Sequence, residues 1–152
     1  MHKGKADTGL LGEPSQSYYR QRRLMRRDYA ASLMSSTKWR KLFRAVQQLE
    51  LDVPMCRVKW TDGDVVDEMR TPIEADLYPP RAFIDTRFTP IALCSIEWLE
   101  FPARMVTSGE CRGPIGRVVT PDLDEVERAL LAVARFPTER TADGLRVIGH
   151  VK

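Results

Sequence analysis

Histidine, lysine beyond residue 41 and long apolar runs are all scarce in this 152-residue chain. Of its two histidines, His2 lies in a tail of small and polar residues, so His150 is the only imidazole expected inside a fold. Zinc and iron centres usually draw on several Cys or His ligands, and a histidine-rich metal site is excluded on inventory. Cys56, Cys94 and Cys111 are odd in number, widely spaced and without a Cys-x-x-Cys pair. They read as reduced thiols, not as a disulfide framework or a zinc knuckle. After Lys41 only Lys59 and Lys152 remain, so no lysine follows Glu97 and Glu100 as a two-carboxylate-plus-lysine nuclease requires. No Gly-x-Ser-x-Gly elbow and no glycine-rich phosphate loop with lysine is present. A Cys111–His150 pair is the one nucleophile and base the inventory leaves, and both sit in settings ordinary for structural residues. The expectation is a protein that is not an enzyme and needs no cofactor or metal.

No apolar stretch approaches the roughly 20 residues that cross a bilayer. Met1–Lys5 is basic, but Ala6-Asp7-Thr8-Gly9 follows it in place of a secretory apolar core. Asp7, Glu13 and Asp28 are too many acids for a mitochondrial-type presequence. The expected compartment is the cytoplasm.

What is present is an ordinary globular composition, 43% hydrophobic and 30% charged, with a strongly uneven charge. The net charge of +3 hides nine basic residues against Asp28 alone between Tyr18 and Arg44, followed by a body with 13 basic and 18 acidic residues. The chain divides accordingly into a flexible basic extension, residues 1–33, and a single domain, residues 34–152. Within the extension, Arg20, Arg22, Arg23, Arg26 and Arg27 lie near Tyr18, Tyr19 and Tyr29. Cations that neutralise phosphates and rings that stack on bases make this arm a candidate nucleic-acid contact.

In the body, a Ser or Thr N-cap within Ser35-Ser36-Thr37 precedes Trp39, Leu42, Phe43, Val46 and Leu49, one apolar stripe of a helix ending near Glu50. Cys56, Val58 and Trp60 alternate with Arg57 and Lys59 as a half-buried strand, and Thr61-Asp62-Gly63-Asp64 turns the chain into a short return strand that starts at Val65 and Val66. A loop is expected over Glu74–Pro80, then a strand at Ala82–Thr86. The longest strand, Ala92–Phe101, carries Ile96 and Trp98 on one face and Leu99 and Phe101 on the other, which predicts a central strand covered on both sides. Ala103–Gly116 reads as irregular. Thr120 as N-cap, Pro121 as first residue and Asp122, Asp124 and Glu125 near the positive end of the dipole open a second helix carrying Leu123, Val126, Leu130, Val133 and Ala134. Asp143-Gly144 leads into a last strand, with Leu145, Val147 and Val151 alternating against Arg146, Ile148 and His150. The fold class implied is α+β, a mostly antiparallel sheet of about five strands with two main helices packed on it, plus the basic N-terminal extension.

Two constellations bear on function. Asp62, Asp64, Asp67 and Glu68 cluster around the first turn, and Glu74 and Asp76 follow in the next loop. Such carboxylates suit a cationic protein partner, or a Mg²⁺ or Ca²⁺ ion in a small hydrolase or nuclease, although the 12-residue calcium loop is not matched. Arg112-Gly113-Pro114-Ile115-Gly116-Arg117 has the Gly-x-x-Gly of KH modules, but Pro114 removes an amide and the flanking helices are missing. Trp39, Trp60 and Trp98 fall on apolar faces and read as core.

Lys38-Trp39 with Leu42-Phe43, Cys56-Arg57-Val58-Lys59, Ile84-Asp85-Thr86, Pro90 and Ile96-Glu97-Trp98-Leu99-Glu100-Phe101 resemble a group of small uncharacterised bacterial proteins of domain-of-unknown-function type. Some members of such groups accompany secreted polymorphic toxins as immunity proteins. The resemblance covers about Lys38–Phe101 and implies a protein that neutralises a toxin by covering its active site or groove; it assigns no residue a role. The functional expectation is therefore a protein-binding module, plausibly of immunity type, with Asp62, Asp64, Asp67, Glu68, Glu74 and Asp76 as partner contacts. The alternatives are nucleic-acid binding through Arg20–Arg27 and metal-dependent hydrolysis at Asp62–Glu68.

Overall fold

The computed structural model describes residues 29–78, 83–84, 91–109, 111 and 113–152. The chain forms an α+β fold around a five-stranded, wholly antiparallel sheet. In chain order the elements are β1 (Ala31–Ser32), α1 (Ser36–Gln48), β2 (Met55–Trp60), β3 (Val66–Arg70), a 3-10 turn (Glu74–Asp76) and β4 (Leu77–Tyr78). There follow β5 (Phe83–Ile84), β6 (Ile91–Ala92), a 3-10 turn (Leu93–Ser95), β7 (Ile96–Pro102), β8 (Met105–Val106) and β9 (Val118–Val119). The chain closes with α2 (Leu123–Leu131), β10 (Thr138–Arg140), β11 (Gly144–Ile148) and β12 (His150–Val151). The main sheet runs β10-β11-β7-β2-β3; smaller ladders join β4-β5-β6, β8-β9 and β1-β12.

The first helix forms where its apolar stripe demands it. Ser35 caps it by accepting from the Lys38 amide at 3.1 Å, and Trp39, Leu42, Phe43 and Val46 are buried. It ends in a left-handed residue, Glu50 at φ 52°, with Leu51 N donating back to Val46 O at 3.1 Å. That turn usually takes glycine. The second helix starts two residues later than the sequence predicts. Its cap is Asp122, not Thr120, because the Asp122 carboxylate accepts from the Glu125 amide at 3.2 Å, and Pro121 therefore precedes the cap. Val133 and Ala134 fall beyond its end, and Val133 is exposed.

One core unites both helices with one side of the sheet. Cys56, Val58 and Trp60 of β2, Ile96, Leu99 and Phe101 of β7, and Leu145 and Val147 of β11 pack with Trp39, Phe43, Val126 and Leu130. β7 is central, as its apolar residues on both faces predict, but both described helices pack on one side of it and its face assignment differs. Lys59 pairs with Trp98 whereas Trp60 pairs with Ile96, so Glu97 is an extra residue. Such a bulge shifts the alternation by one residue. Ile96 therefore joins the core with Leu99, and Trp98 turns to the other side.

Several expectations need the same kind of correction. The strand expected from Ala92 holds a 3-10 turn at Leu93–Ser95. β3 extends to Arg70, so Asp67 and Glu68 lie in a strand and not in a turn. β10, β8 and β9 were not anticipated; β8 and β9 lie in or just beyond the stretch read as irregular. The last strand breaks at Gly149, which reverses the alternation and leaves His150 buried and Val151 exposed. The strand expected over Ala82–Thr86 is described only at Phe83–Ile84, and the Glu74–Pro80 loop contains the 3-10 turn and β4.

Residues 29–33, counted above with the extension, join the fold. Ala31 and Ser32 pair with Val151 and His150, Ala30 N donates to Val151 O at 2.7 Å, and Leu33 N donates to Gly149 O at 2.8 Å. Arg20, Arg22, Arg23, Arg26 and Arg27 lie outside the described residues. Among the described residues no helix is long and apolar enough to cross a membrane.

Candidate functional site

Because both helices pack into the core on one side, the alternate residues of each strand point to a face that neither helix covers. Strand register places five side chains from five strands in one row across it. Glu139 lies opposite Arg146, Arg146 opposite Glu100, Glu100 opposite Arg57 and Arg57 opposite Glu68. The row spans the whole sheet, and the sign of charge alternates at every step.

Its centre is the most buried charged side chain among the described residues. Glu100 is only 1% exposed. One carboxylate oxygen accepts from Thr141 Oγ1 at 2.8 Å and from Arg146 Nε at 3.2 Å, and the other faces Arg57 Nη1 at 3.5 Å. A buried carboxylate is tolerated only with such compensation. Arg146 is fixed a second time, its guanidinium carbon lying 3.8 Å from the Trp98 ring centroid. Stacked on the indole and tethered to Glu100, it is a pre-ordered cation. Trp98 is half-buried on this face, which corrects its assignment to the core; Trp39 and Trp60 are buried as expected.

Beside this row, the bulge gathers a second group. Glu97 Oε1 accepts from Lys59 Nζ at 2.9 Å and from the Tyr29 hydroxyl at 2.7 Å, while Lys59 also donates to Gly63 O at 2.7 Å. Burial pushes the Glu97 carboxyl upward, but the bonds from Lys59 and Tyr29 outweigh it and hold the group below its ordinary value. The Tyr29 ring lies 5.4 Å from that of His150, whose Nε2 is 2.8 Å from Cys94 O and whose Nδ1 is buried with no hydrogen-bond partner among the described residues. Burial lowers the His150 pKa, against smaller upward pulls from the Cys94 carbonyl and Glu97.

The sign of the resulting pH dependence is fixed. A folded pKa below the unfolded value of about 6.5 means the fold prefers neutral histidine, so its contribution is complete above pH ~6.5 and is lost as pH falls below that. Urea midpoints between pH 7.5 and 5.5 are expected to fall for the wild type and to fall less for His150→Gln. Equal slopes in the two proteins would refute the assignment to His150.

The acids expected to contact a partner divide into two groups. Asp62 and Asp64 are exposed in the β2–β3 turn, and Glu68 is exposed on β3. Asp67 is exposed too, but its carboxylate accepts from Trp60 Nε1 at 2.8 Å. Glu74 and Asp76 serve the structure elsewhere. Glu74 pairs with Arg44 at 2.7 Å; buried Asp76 takes Arg70 Nη2 and the Ile73 amide, both at 3.0 Å. Among the described residues no three His, Cys, Asp or Glu side chains converge as a metal ion would require. The Gly-x-x-Gly stretch, described apart from Arg112, is a tight loop between β8 and β9. Thr107 holds it, bonding Pro114 O at 2.7 Å and the Arg117 amide at 2.8 Å, while Arg117 forms a double bond pair with Asp52 at 3.0 and 3.1 Å.

Cys111 packs near Pro54 and Met55, away from the Cys94 carbonyl that engages His150, so no Cys111–His150 pair forms. The Cys56 thiol is fully buried, and burial pushes its pKa up to about 12, so it stays protonated and unreactive. A shallow cleft of about 270 Å³ lies between the end of α1 and the end of β3, with Thr71, Arg70 and Arg117 among its lining residues. Both arginines there are already ion-paired.

A family model described as a family of unknown function, DUF6678, matches residues 21–152. The chain belongs to DUF6678. Searches of curated proteins and of solved structures return no match. The DUF6678 match begins within the arginine-rich segment and includes every residue of the charged row. Arg57, Trp98, Glu100, Glu139 and Arg146 are the residues that sequence reasoning did not select. Their one visible signal is a charged residue with apolar neighbours on both sides in the strand, at Arg57, Glu100 and Arg146.

Proposed function

We propose that this DUF6678 domain is a protein-binding module, and that it binds through the sheet face that neither α1 nor α2 covers, together with the acidic β2–β3 hairpin. The supporting observation is the Arg146–Trp98 stack anchored by buried Glu100. Tryptophan and arginine dominate interface energies, and side chains already held in place lose little freedom on binding. Asp62, Asp64 and Glu68 at the same sheet's border favour a cationic partner and speed its approach. A cationic toxin domain has that chemistry, and the immunity role implied by the sequence resemblance belongs at this surface.

The test is co-expression with the product of the adjacent gene. The expected outcome is co-purification and protection of growth, both lost in the Trp98→Ala, Asp62→Lys, Asp64→Lys triple variant while its circular dichroism stays native. Neither a complex nor protection with the wild type would remove the reading. The nucleic-acid alternative rests on Arg20–Arg27, outside the described residues, and the hydrolase alternative on acids that do not converge.

A further inference from the structure

The outer border of the sheet at β3 has a definite hydrogen-bonding phase. Thr71 N donates to Pro54 O across the β2–β3 pair at 3.0 Å. Antiparallel alternation then directs the main-chain groups of Met69 and Asp67 toward β2, and those of Arg70, Glu68 and Val66 away from the sheet. Arg70 is drawn to Asp76 at 3.0 Å. Of these three residues Val66 and Glu68 are exposed and Arg70 is half-buried, and among the described residues no strand pairs with this border. An open edge is a template for one more strand.

Side chains on the edge determine which strand fits. Glu68 is the acidic end of the alternating row, directly beside Arg57. A second copy of this chain paired two-fold about Asp67 or Glu68 would set like charges across the strands, which repel, and pairing about Met69 would set Glu68 opposite an Arg70 that Asp76 already engages. A basic side chain from another protein meets neither obstacle. An incoming Arg or Lys opposite Glu68 extends the alternation by one step. An apolar residue opposite Val66, which is 44% exposed, removes that side chain from water.

We infer that β3 captures an extended segment of a partner protein by antiparallel strand addition. The segment presents, from its N- to its C-terminal side, a basic residue opposite Glu68, one residue of any kind, and an apolar residue opposite Val66. The inference rests on the binding-module reading and names the chemistry of the partner. Main-chain bonds provide the attraction, and the two side chains set the register.

Two short capped peptides, threonine-rich and differing only in Arg-Thr-Val against Glu-Thr-Val at the centre, test it by titration into the isotope-labelled full chain. The Arg peptide is expected to shift the Val66 and Glu68 amides and to bind about fivefold more tightly, the equivalent of ~1 kcal/mol for a cross-strand ion pair. Glu68→Arg should invert the preference. No shift of those amides at millimolar peptide, or equal binding of the two peptides, overturns the inference. Val66→Pro separates this mode from the broader reading, since it removes the outward N–H and the apolar side chain that strand addition uses while leaving the native β2–β3 bonds and the charged row in place. A complex with the neighbouring gene's product that survives both Val66→Pro and Glu68→Arg overturns strand addition and leaves the module. Peptide discrimination without any such complex overturns the proposed partner and leaves the edge.

Discussion

Replacing Glu100 with alanine is expected to lower the unfolding free energy by about 3 kcal/mol, seen as a reduced urea midpoint at unchanged slope. Three groups are organised around this carboxylate: Thr141, Arg57 and Arg146. Without it two guanidiniums confront each other across a central strand, and the arginine stacked on Trp98 loses its tether. The expected loss is at the lower end of the range for breaking a buried pair because both arginines are about 30% exposed and can reach water. A Glu100→Leu, Arg57→Leu, Arg146→Leu triple variant should recover much of the loss, because the cost arises from charges left without a partner. If Glu100→Ala unfolds at the wild-type midpoint, the row contributes no stability.

The second large effect is at Gly149. A Cβ there would stand 2.2 Å from the Ile96 carbonyl oxygen and 3.2 Å from Trp39 Cζ2. The first neighbour is main chain in the bulged strand and cannot rotate away. Gly149 N also donates to Glu97 O at 2.7 Å, so relief by separation would break the ladder at the bulge. Gly149→Ala should destabilise by about 2–3 kcal/mol, the scale of overpacking a filled interior. Gly109→Ala, with nothing within 4 Å of the added atom, is the matched control and should change stability little. Equal effects at the two glycines would show that the close approach is not the cause.

The elements that could be read from sequence are those whose pattern is local. The α1 stripe from Trp39 to Val46, its serine cap and the alternation in β2 each need only neighbours a few residues away and are found where expected, whereas Leu49, expected at the end of that stripe, caps the helix and is exposed. β7 was placed correctly as the central strand for its apolar residues on both faces. Its facing was not, because the Glu97 bulge exists only relative to β2. Gly149 has the same effect at the end of β11: strict alternation assigns His150 to the wrong side. β10 is three polar residues, Thr138–Arg140, too short to show a period.

The candidate site was less legible than the fold. The hairpin acids are contiguous, so they were found. The charged row is assembled from residues 57, 68, 100, 139 and 146, and nothing but strand register brings them together. Glu74 and Asp76 resemble Asp62 and Asp64 in sequence, but they are engaged by Arg44 and Arg70, which lie distant from or ahead of them in the chain.

The alternating row also bears on the order of assembly. Arg57 and Glu68 belong to one hairpin and Glu139 and Arg146 to the other, so each hairpin can neutralise its own arginine by short-range pairing before the sheet exists. Glu100 has no such local companion. Its dehydration waits for the two hairpins to dock on β7 from opposite sides, the long-range and therefore slow part of building an antiparallel sheet. A hairpin docked one residue out of register would present no cation to the carboxylate, so the buried charge at Glu100 penalises a misregistered sheet.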